Sequence, residues 1–434
     1  MLDTIIMRIF FSGIGGHGLG PLALIAKQAG YDVVGSDKSD SEFIGTLRQA
    51  GIDVYIGQTT EHITEVHTAQ AIDWLVYSSA VPRENPRHPE LIFAQEHAIK
   101  HTKRDELLNQ ILKEKGQKLL AIAGTHGKTT TTAMVVWLFK QLELPVSYSV
   151  GAEIDFGPSG HFDPESEYFV YEADEFDRNF LAYHPWLSVI TGLSWDHHEI
   201  FPSQDDYNDA FRQFASQSQN LVVWQEDAKL LKSPGKNVIC SKESSEIEYI
   251  KLAGQFNRQD AWQAIQAVHM ATGAPLDKLI DRIGNFSGLA QRMEQLAPNL
   301  YTNYAHTPEK IRGCLLTARD LAKPGQKIVA IYEPLTNRRQ YFIRQDYKDC
   351  FNGADHIYWL PTYLAREDPG QKVLQPAELI AYLSNPETAE PAKPDDNLAD
   401  AIKRHLASGD MVVAIGAAGP RSLDYWLRDI ITQR

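Results

Sequence analysis

Short runs of β-branched and aromatic residues alternate with amphipathic segments along most of this chain. The runs RIFF, WLVY, LLAIA and MVVAIG are each followed by glycine or polar residues and then by a helical pattern. Apolar strands of this kind, separated by helices, are typical of parallel sheets that are covered on both faces. The pattern therefore predicts an α/β protein.

The strand and helix alternation recurs in three stretches of the chain. At 434 residues the chain is too long for one compact core. We predict three domains, at residues 1–105, 106–297 and 298–434, with the first boundary at the charged helix KRDELLNQILKEKGQ. The segments FSGLAQRME, which carries Arg292, and PETAEPAKPDD are predicted to be loops.

Composition narrows the classes of function. The net charge of -14 argues against nonspecific binding to nucleic acid or to anionic membranes, and no stretch is apolar enough to span a bilayer. The apolar N-terminal run lacks the features of a signal peptide. Three widely spaced cysteines suit a reducing compartment and form no evident zinc or disulfide pattern. We therefore expect a cytoplasmic protein.

The stretch LLAIAGTHGKTTTT, residues 119–132, carries the strongest chemical signal. It predicts a strand, a glycine turn and the start of a helix, an arrangement whose N–H groups hold phosphate. Lys128 would reach the β- and γ-phosphates of a nucleotide from a solvent-open loop, and Thr129 or Thr130 would ligate Mg2+. The usual first glycine is Ile122 here, and the loop uses Gly124 instead. A plain turn into a threonine-rich helix would leave the lysine unexplained.

Acidic and imidazole groups follow two later strands. Glu172, Asp174, Glu175 and Asp177 crowd the end of EYFVYEADEFD, where a cation must offset their repulsion. A Mg2+ site would supply that cation, whereas the alternative is a solvated acidic loop. His197 follows WLSVITGLSW and is a second candidate ligand, whereas the neighbouring His198 is expected at the surface.

A second glycine loop lies near the N-terminus. Gly13, Gly15 and Gly18 have the G-x-G-x-x-G spacing between two strands, and Asp37 ends the second strand. This layout predicts a diphosphate at the helix start and a ribose hydroxyl on the carboxylate, as in NAD, FAD or nucleotide-sugar sites. Ser78 and Ser79 follow the next strand, either as ligand contacts or as turn residues that cap a helix.

In order along the chain, the motifs GIGGHG, GSD, YSSAVP, AGTHGKTTTTAM, EADEFD, DHHEIF, GQFN, YAHTP and YEP resemble those of the Mur ligase family. The resemblance covers essentially the whole chain, and AGTHGKTTTTAM is its most specific part. It implies an α/β fold with three domains: an N-terminal Rossmann-like domain for a UDP sugar, a central P-loop ATPase domain, and a C-terminal Rossmann-like domain that brings the amino acid.

The resemblance implies ATP-dependent amide formation. The carboxylate of UDP-N-acetylmuramate would attack the γ-phosphate, and an amine, L-alanine or that of a short peptide, would displace phosphate from the acyl phosphate. ATP and Mg2+ are the implied cofactors. Lys128, Glu172 and His197 are the implied catalytic residues, and Thr129, Glu172 and His197 the implied metal ligands.

The implied binding residues fall into two groups. Those for ATP are Gly124, Thr125, His126, Gly127, Lys128, Thr129, Thr130, Asn257 and Arg292. Those for the substrates are Gly15, Gly16, His17, Gly18, Asp37, Ser78, Ser79, His306 and Arg339, with Arg338 an alternative to Arg339 for clasping a carboxylate. The sequence leaves open whether the enzyme is a monomer or a homodimer.

Departures from the family pattern keep alternatives open. Gly192 and Ser194 stand where the family has Asn and Glu, and Asp260 and Asn303 also differ in the nucleoside region. A nucleotide-binding relative without turnover would account for these changes. The Thr-Asn of YEPLTNRR resembles the ligase that recycles whole peptides, whereas KRDELL and YSSAVP favour the alanine-adding type. An NAD-dependent oxidoreductase would explain GIGGHG but not the phosphate loop.

Overall fold

The fold is described from a computed structural model. It covers residues 6–16, 18–197, 200–231, 236–364, 367, 370–416 and 421–432. The strands are β1 Arg8–Ser12, β2 Asp32–Asp37, β3 Asp53–Ile56, β4 Trp74–Tyr77, β5 Lys100–Lys103, β6 Lys118–Ala123, β7 Ser147–Ser149, β8 Gly160–His161, β9 Tyr168–Glu172, β10 Leu187–Ile190, β11 Asn220–Trp224, β12 Lys236–Cys240, β13 Arg292–Ala297, β14 Leu300–Tyr304, β15 Ile328–Tyr332, β16 His356–Trp359, β17 Ala389–Pro391 and β18 Met411–Gly416.

Helices lie between most of these strands. They are α1 Gly20–Gln28, α2 Glu42–Gln49, α3 Thr60–Ala69, α4 Ala80–Glu84, α5 Pro89–Glu96, α6 Arg104–Lys115, α7 Lys128–Gln141, α8 Gln204–Gln217, α9 Gln225–Leu231, α10 Gln255–Thr272, α11 Leu276–Ile283, α12 Pro308–Leu321, α13 Asn337–Ile343, α14 Pro376–Ile380, α15 Asp396–Ala407 and α16 Leu423–Thr432. Short 3-10 turns cover Phe176–Ala182, Ser245–Tyr249, Arg344–Tyr347 and Pro386–Thr388. Among the helices in the described ranges, none has both the length and the apolar character needed for a bilayer crossing.

The strands form three sheets, and nearly all pairs are parallel. The first has the order β3-β2-β1-β4-β5, the second β12-β11-β10-β6-β9-β7-β8, and the third β13-β14-β18-β15-β16-β17. Only β8 on β7 and β13 on β14 pair antiparallel among these described strands. The predicted α/β class with three strand-helix repeats is confirmed.

The contacts divide the chain into two compact units. Unit 1 comprises residues 1–250 and 260–286, with the first and second sheets, and unit 2 comprises residues 251–259 and 287–434, with the third sheet. In unit 1 one apolar core joins both sheets, since Ile9 and Leu22 belong to the same cluster as Phe169 and Phe211. The residue bounds of the three predicted domains stay a prediction.

A hairpin of the second sheet packs directly on the first helix. A Cβ at Gly160, in β8, would lie 2.4 Å from the carbonyl oxygen of Pro21 in α1. The Phe162 N–H donates to the side-chain oxygen of Gln28, 2.7 Å away. Only glycine at position 160 permits this close approach of backbone to backbone.

Two predicted loops contain edge strands instead. PETAEPAKPDD includes β17, which pairs with β16, and Pro391 is tolerated there because an edge strand leaves N–H positions unused. FSGLAQRME runs into β13, which starts at Arg292 and pairs irregularly with β14. The loop predictions were wrong because short edge strands owe their form to a neighbouring strand rather than to an apolar pattern of their own.

Candidate active site

The phosphate-type loop joins β6 to α7 at the carboxyl edge of the second sheet. Gly124 and Gly127 have φ angles of +135° and +76°, which side chains rarely adopt. A Cβ at Gly124 would lie 2.3 Å from the Thr191 hydroxyl oxygen, and one at Gly127 would lie 2.5 Å from Asp260 Oδ1. Both backbone angle and space therefore require glycine at these positions.

Thr125 fastens this loop to the segment after β10. Its hydroxyl donates to the Ser194 carbonyl at 2.7 Å and accepts from the Ser194 N–H at 2.8 Å, and the Tyr207 hydroxyl lies 2.7 Å away. The Thr125 side chain is 3% exposed. The carbonyl of His126 accepts a hydrogen bond from the Thr191 hydroxyl. These contacts fix the loop between two neighbouring strands.

Lys128 is the first residue of α7 and points into the protein. Its Nζ donates to the Gly124 carbonyl at 2.6 Å and lies 2.8 Å and 3.0 Å from the two carboxylate oxygens of Glu175. Burial opposes its charge, but the carboxylates of Glu175, Asp174 and Glu172 outweigh burial and raise the pKa of Lys128. The prediction of a solvent-open loop is wrong at Lys128, because only 15% of this side chain is exposed.

Glu172 ends β9 beside the first turn of α7. It accepts from the Thr129 hydroxyl at 2.9 Å through one oxygen and from the Gly151 N–H at 2.9 Å through the other. Burial raises the pKa of the carboxyl despite the nearby Lys128. The structure thus brings together Thr129 and Glu172, two of the three predicted metal ligands.

His197, the third predicted ligand, lies near Glu175, the carboxylate that pairs with Lys128. The His197 Nε2 lies 3.6 Å from Glu175 Oε1, and the ring packs edge-on against Phe176 with centroids 5.2 Å apart. The backbone at His197 has φ +53°, and its N–H donates to Asp196 Oδ1 at 2.7 Å. His198 lies outside the described residues. Within the described ranges, no group of three His, Cys, Asp or Glu side chains is arranged to hold a metal ion.

The N-terminal glycine loop is closed by hydrogen bonds at the carboxyl edge of the first sheet. The N–H groups of Gly13 and Ile14 donate to the Ser36 carbonyl, and the Gly15 N–H donates to Asp37 Oδ2 at 2.9 Å. The predicted residues Gly15, Gly16, Gly18 and Asp37 lie together here. His17 lies outside the described residues.

Ser78 and the buried Glu90 lie at the same carboxyl edge of the first sheet. The Ser78 hydroxyl accepts from the Ala80 N–H at 3.3 Å, as in a helix-entry turn, and no side-chain cap comes from Ser79. Glu90, 0% exposed, accepts from the hydroxyls of Ser12 and Ser36 at 2.5 Å each. Burial raises the pKa of Glu90 to about 7, although these two hydrogen bonds act to lower it. Glu90 therefore ties the ends of two neighbouring strands together.

Comparisons with known proteins decide the family. The model of the Mur ligase family, catalytic domain, matches residues 8–115, and that of the Mur ligase middle domain matches residues 122–277. A UDP-N-acetylmuramate–L-alanine ligase of Clostridium beijerinckii is 30% identical over 94% of this chain and 95% of its own length. The chain belongs to the Mur ligase family. A ligase of the same name from Nocardioides sp. is 29% identical over 96% of this chain and 95% of its own length.

Solved structures support the Mur ligase fold. The UDP-N-acetylmuramate-alanine ligase MurC of Thermotoga maritima matches with a TM-score of 0.73 and 22% identity, covering 98% of this chain and 99% of that one. A murein peptide ligase of Psychrobacter arcticus matches with a TM-score of 0.65 and 20% identity over 98% of both chains. As a Mur ligase, the protein is an ATP-dependent ligase, and the oxidoreductase alternative is set aside.

The remaining predicted residues of this Mur ligase lie in unit 2. The Arg292 guanidinium is 5.2 Å from the centroid of the Tyr304 ring, and the ring of His306 is 4.9 Å from that of Tyr304. The Asn257 side-chain amide donates to the Ala253 carbonyl at 2.8 Å. Arg339 lies in α13, after β15. Arg292 and His306 thus share one aromatic neighbour.

Two of the departures from the family pattern make side-chain contacts near the site. The Asp260 carboxylate packs against Gly127, whereas Ser194 holds Thr125 only through its backbone groups. The Asn303 side-chain oxygen accepts from the Met293 N–H at 2.9 Å and so holds β13 on β14. These residues therefore stabilise the loops and strands around the site.

Sequence reasoning assigned no individual role to Glu175 or to Arg104. Glu175 was counted only as one of four crowded carboxylates, yet it is 0% exposed and lies between Lys128 and His197. Arg104 was treated as part of a charged helix. The only signal in the sequence was position, since each directly follows or lies near the end of a parallel strand.

Proposed function

We propose that this Mur ligase joins the carboxylate of UDP-N-acetylmuramate to the amine of L-alanine in peptidoglycan precursor synthesis. A carboxylate oxygen attacks the γ-phosphorus of ATP, and the bond from that phosphorus to ADP breaks. The amine then attacks the acyl carbon, phosphate leaves, and the amine loses a proton. The observation that carries the proposal is the cluster of Lys128, Thr129, Glu172, Glu175 and His197 in the same unit as the glycine loop.

Lys128 and the loop backbone act on the phosphates of ATP in this proposal. Lys128 stabilises negative charge on the transferred phosphoryl group, which such reactions require more than a covalent nucleophile. The backbone of Gly124 to Thr130 holds the phosphates at the start of α7. Asn257 and Arg292 are proposed to contact the nucleoside.

Mg2+ is proposed as the second cofactor, and the residues fit it. The Thr129 hydroxyl and the Glu172 carboxylate are hard oxygen donors 2.9 Å apart, the ligand type that Mg2+ prefers. His197 is proposed to hold a second Mg2+ near the acyl oxygen. Bound Mg2+ would neutralise charge on the phosphates.

Phosphate release tests the proposal. Purified full-length protein is incubated with ATP, Mg2+, UDP-N-acetylmuramate and L-alanine, and each component is omitted in turn. We expect phosphate only in the complete mixture, and none from a Lys128→Met variant. Release that continues without the sugar nucleotide would refute the reaction. Tight ATP binding without turnover for any amine would favour the inactive-relative alternative.

A short peptide is the second acceptor to test. It is supported by Thr336 and Asn337, which follow the Glu-Pro of YEPLTNRR. Arg339 is proposed to bind the acceptor carboxylate, because its side chain is partly buried whereas Arg338 is exposed. Arg339→Lys should raise KM for the acceptor amine more than Arg338→Lys does. Comparing L-alanine, other amino acids and tripeptides in the phosphate assay identifies the acceptor.

Location and assembly complete the proposal. We infer three domains at residues 1–105, 106–297 and 298–434, and action in the cytoplasm, which is supported by three buried cysteines without disulfides. Sedimentation velocity distinguishes the monomer from the homodimer.

A further inference from the structure

Arg104 occupies the space that a side chain at Gly18 would fill. It is the first residue of α6, and a Cβ built on Gly18 would lie 2.1 Å from its Nη1 and 3.3 Å from its Cζ. The guanidinium is the far end of a flexible side chain, so a side chain at position 18 would displace it from this place. Glycine at position 18 therefore lets the guanidinium lie directly against the loop between β1 and α1.

The guanidinium of Arg104 has no hydrogen-bond acceptor among the described residues. Its nearest carboxylate is Asp174, with 3.9 Å between Nη2 and Oδ2, which is too long for a hydrogen bond. Within the described part of the chain the Arg104 side chain donates no hydrogen bond, although only 23% of it is exposed. A guanidinium carries five N–H donors, and donors at this depth normally have partners.

The neighbouring cations show the contrast. Lys103 and Arg83 each lie 2.8 Å from a carboxylate oxygen of Asp177, so both have a charged partner at short distance. Asp177 thus contacts two cations at hydrogen-bond distance, whereas the distance from Asp174 to Arg104 is 3.9 Å. Arg104 is thus held in place by the protein while its hydrogen-bonding face remains available.

The position of Arg104 links the two halves of unit 1. On one side is the glycine loop, which leads into the N-terminal end of α1. On the other is Asp174, two residues after Glu172 of the phosphate-loop cluster. An anion held here would lie beside the sugar-nucleotide loop and close to the carboxylates around Lys128.

We propose that Arg104 binds an anionic group of the sugar nucleotide at Gly18, an inference that rests on the proposed function. The planar guanidinium fork matches both phosphate and carboxylate oxygens. Two groups of UDP-N-acetylmuramate have this chemistry, the diphosphate and the carboxylate. Lysine at position 104 keeps the charge but loses the fork, so Arg104→Lys tests the geometry separately from the charge.

Calorimetric titration of the full-length protein tests the proposal. Arg104→Lys should weaken binding of UDP-N-acetylmuramate at least tenfold and leave ATP binding within twofold. UDP-N-acetylglucosamine, which lacks the carboxylate, identifies the group: an equal loss assigns the diphosphate, and an unchanged affinity assigns the carboxylate. Arg8→Lys is the matched control, because Arg8 begins β1 at the opposite end of the same sheet.

A second variant approaches the same contact from the loop. Gly18→Ala should push the guanidinium aside and weaken the same ligand, and Gly18→Ala with Arg104→Lys should lose less than the sum of the single losses. Additive losses would place the two residues in separate roles and overturn the inference. So would an Arg104→Lys variant that binds both sugar nucleotides as the wild type does, or that loses ATP affinity equally.

Failure of the inference and failure of the proposed function give different results. If the wild type binds UDP-N-acetylmuramate and Arg104→Lys does not change the affinity, only the inference falls. If the wild type binds the sugar nucleotide but releases no phosphate in the complete mixture, the proposed reaction falls and the binding role stands. If the wild type does not bind UDP-N-acetylmuramate, both are overturned.

Discussion

Replacing Lys128 by alanine should destabilise unit 1 as well as abolish turnover. The change leaves Glu175, 0% exposed, without the ammonium group 2.8 Å away. Removing one partner of a buried ion pair costs about 3 to 5 kcal/mol. Because 15% of the Lys128 side chain is exposed, water can reach part of the site, and we expect the lower end, about 3 kcal/mol. That corresponds to a fall of roughly 6 to 12 °C in the melting temperature.

Differential scanning calorimetry measures this effect, and a second substitution tests its cause. Lys128→Ala with Glu175→Gln should be more stable than Lys128→Ala alone, because no buried charge is then left uncompensated. Lys118→Ala is the matched control, since Lys118 begins β6, the strand before the loop, and pairs with Glu167 at the surface, where the two side chains are 44% and 59% exposed. A Lys128→Ala protein that melts with the wild type, or a double variant no more stable than the single, would refute the reasoning.

Three further predictions concern single side chains. Thr129→Val removes the hydroxyl that donates to Glu172 at 2.9 Å, and ATP-dependent phosphate release should fall by about 10- to 100-fold. Gly127→Ala, at φ +76° and 2.5 Å from Asp260, should cost more than about 1 kcal/mol in urea unfolding, whereas Gly45→Ala, in α2 with open space around it, should stabilise by about 0.5 to 1 kcal/mol. Burial raises the Glu90 pKa from 4.5 to about 7, so the folded state holds this proton longer and stability should fall as pH rises from 4.5 to 7. Glu90→Gln should flatten that slope in urea midpoints measured across the range, and an unchanged slope would contradict it.

The phosphate loop could be predicted from sequence because its determinants are local. Gly124, Gly127 and Lys128 lie within five residues, and the strand before them and the helix after them are continuous patterns. The depth of Lys128 could not be predicted in this way. It depends on Glu175, which comes 47 residues later and meets the lysine only after β6 and β9 pair.

The edges of the sheets were the least predictable part of the fold. The short β17 has one proline within it, two more nearby and little apolar character, and it forms because β16 offers it a partner. The role of Arg104 was also hidden, since a basic residue in KRDELL reads as one more solvated charge. The role proposed for Arg104 rests on its contact with Gly18, which lies 86 positions earlier, and no local pattern in the sequence predicts that contact.

The packing of β8 on α1 limits how this protein can be recombined. Gly160 touches Pro21, Phe162 is bonded to Gln28, and one apolar core runs through both sheets. A chimera that takes its first sheet and α1 from another ligase would therefore bring a mismatched helix surface against this hairpin. A workable exchange would carry residues 147–162 together with the N-terminal sheet. The unit that can be exchanged is therefore set by which segments pack against each other and not by which are adjacent in the sequence.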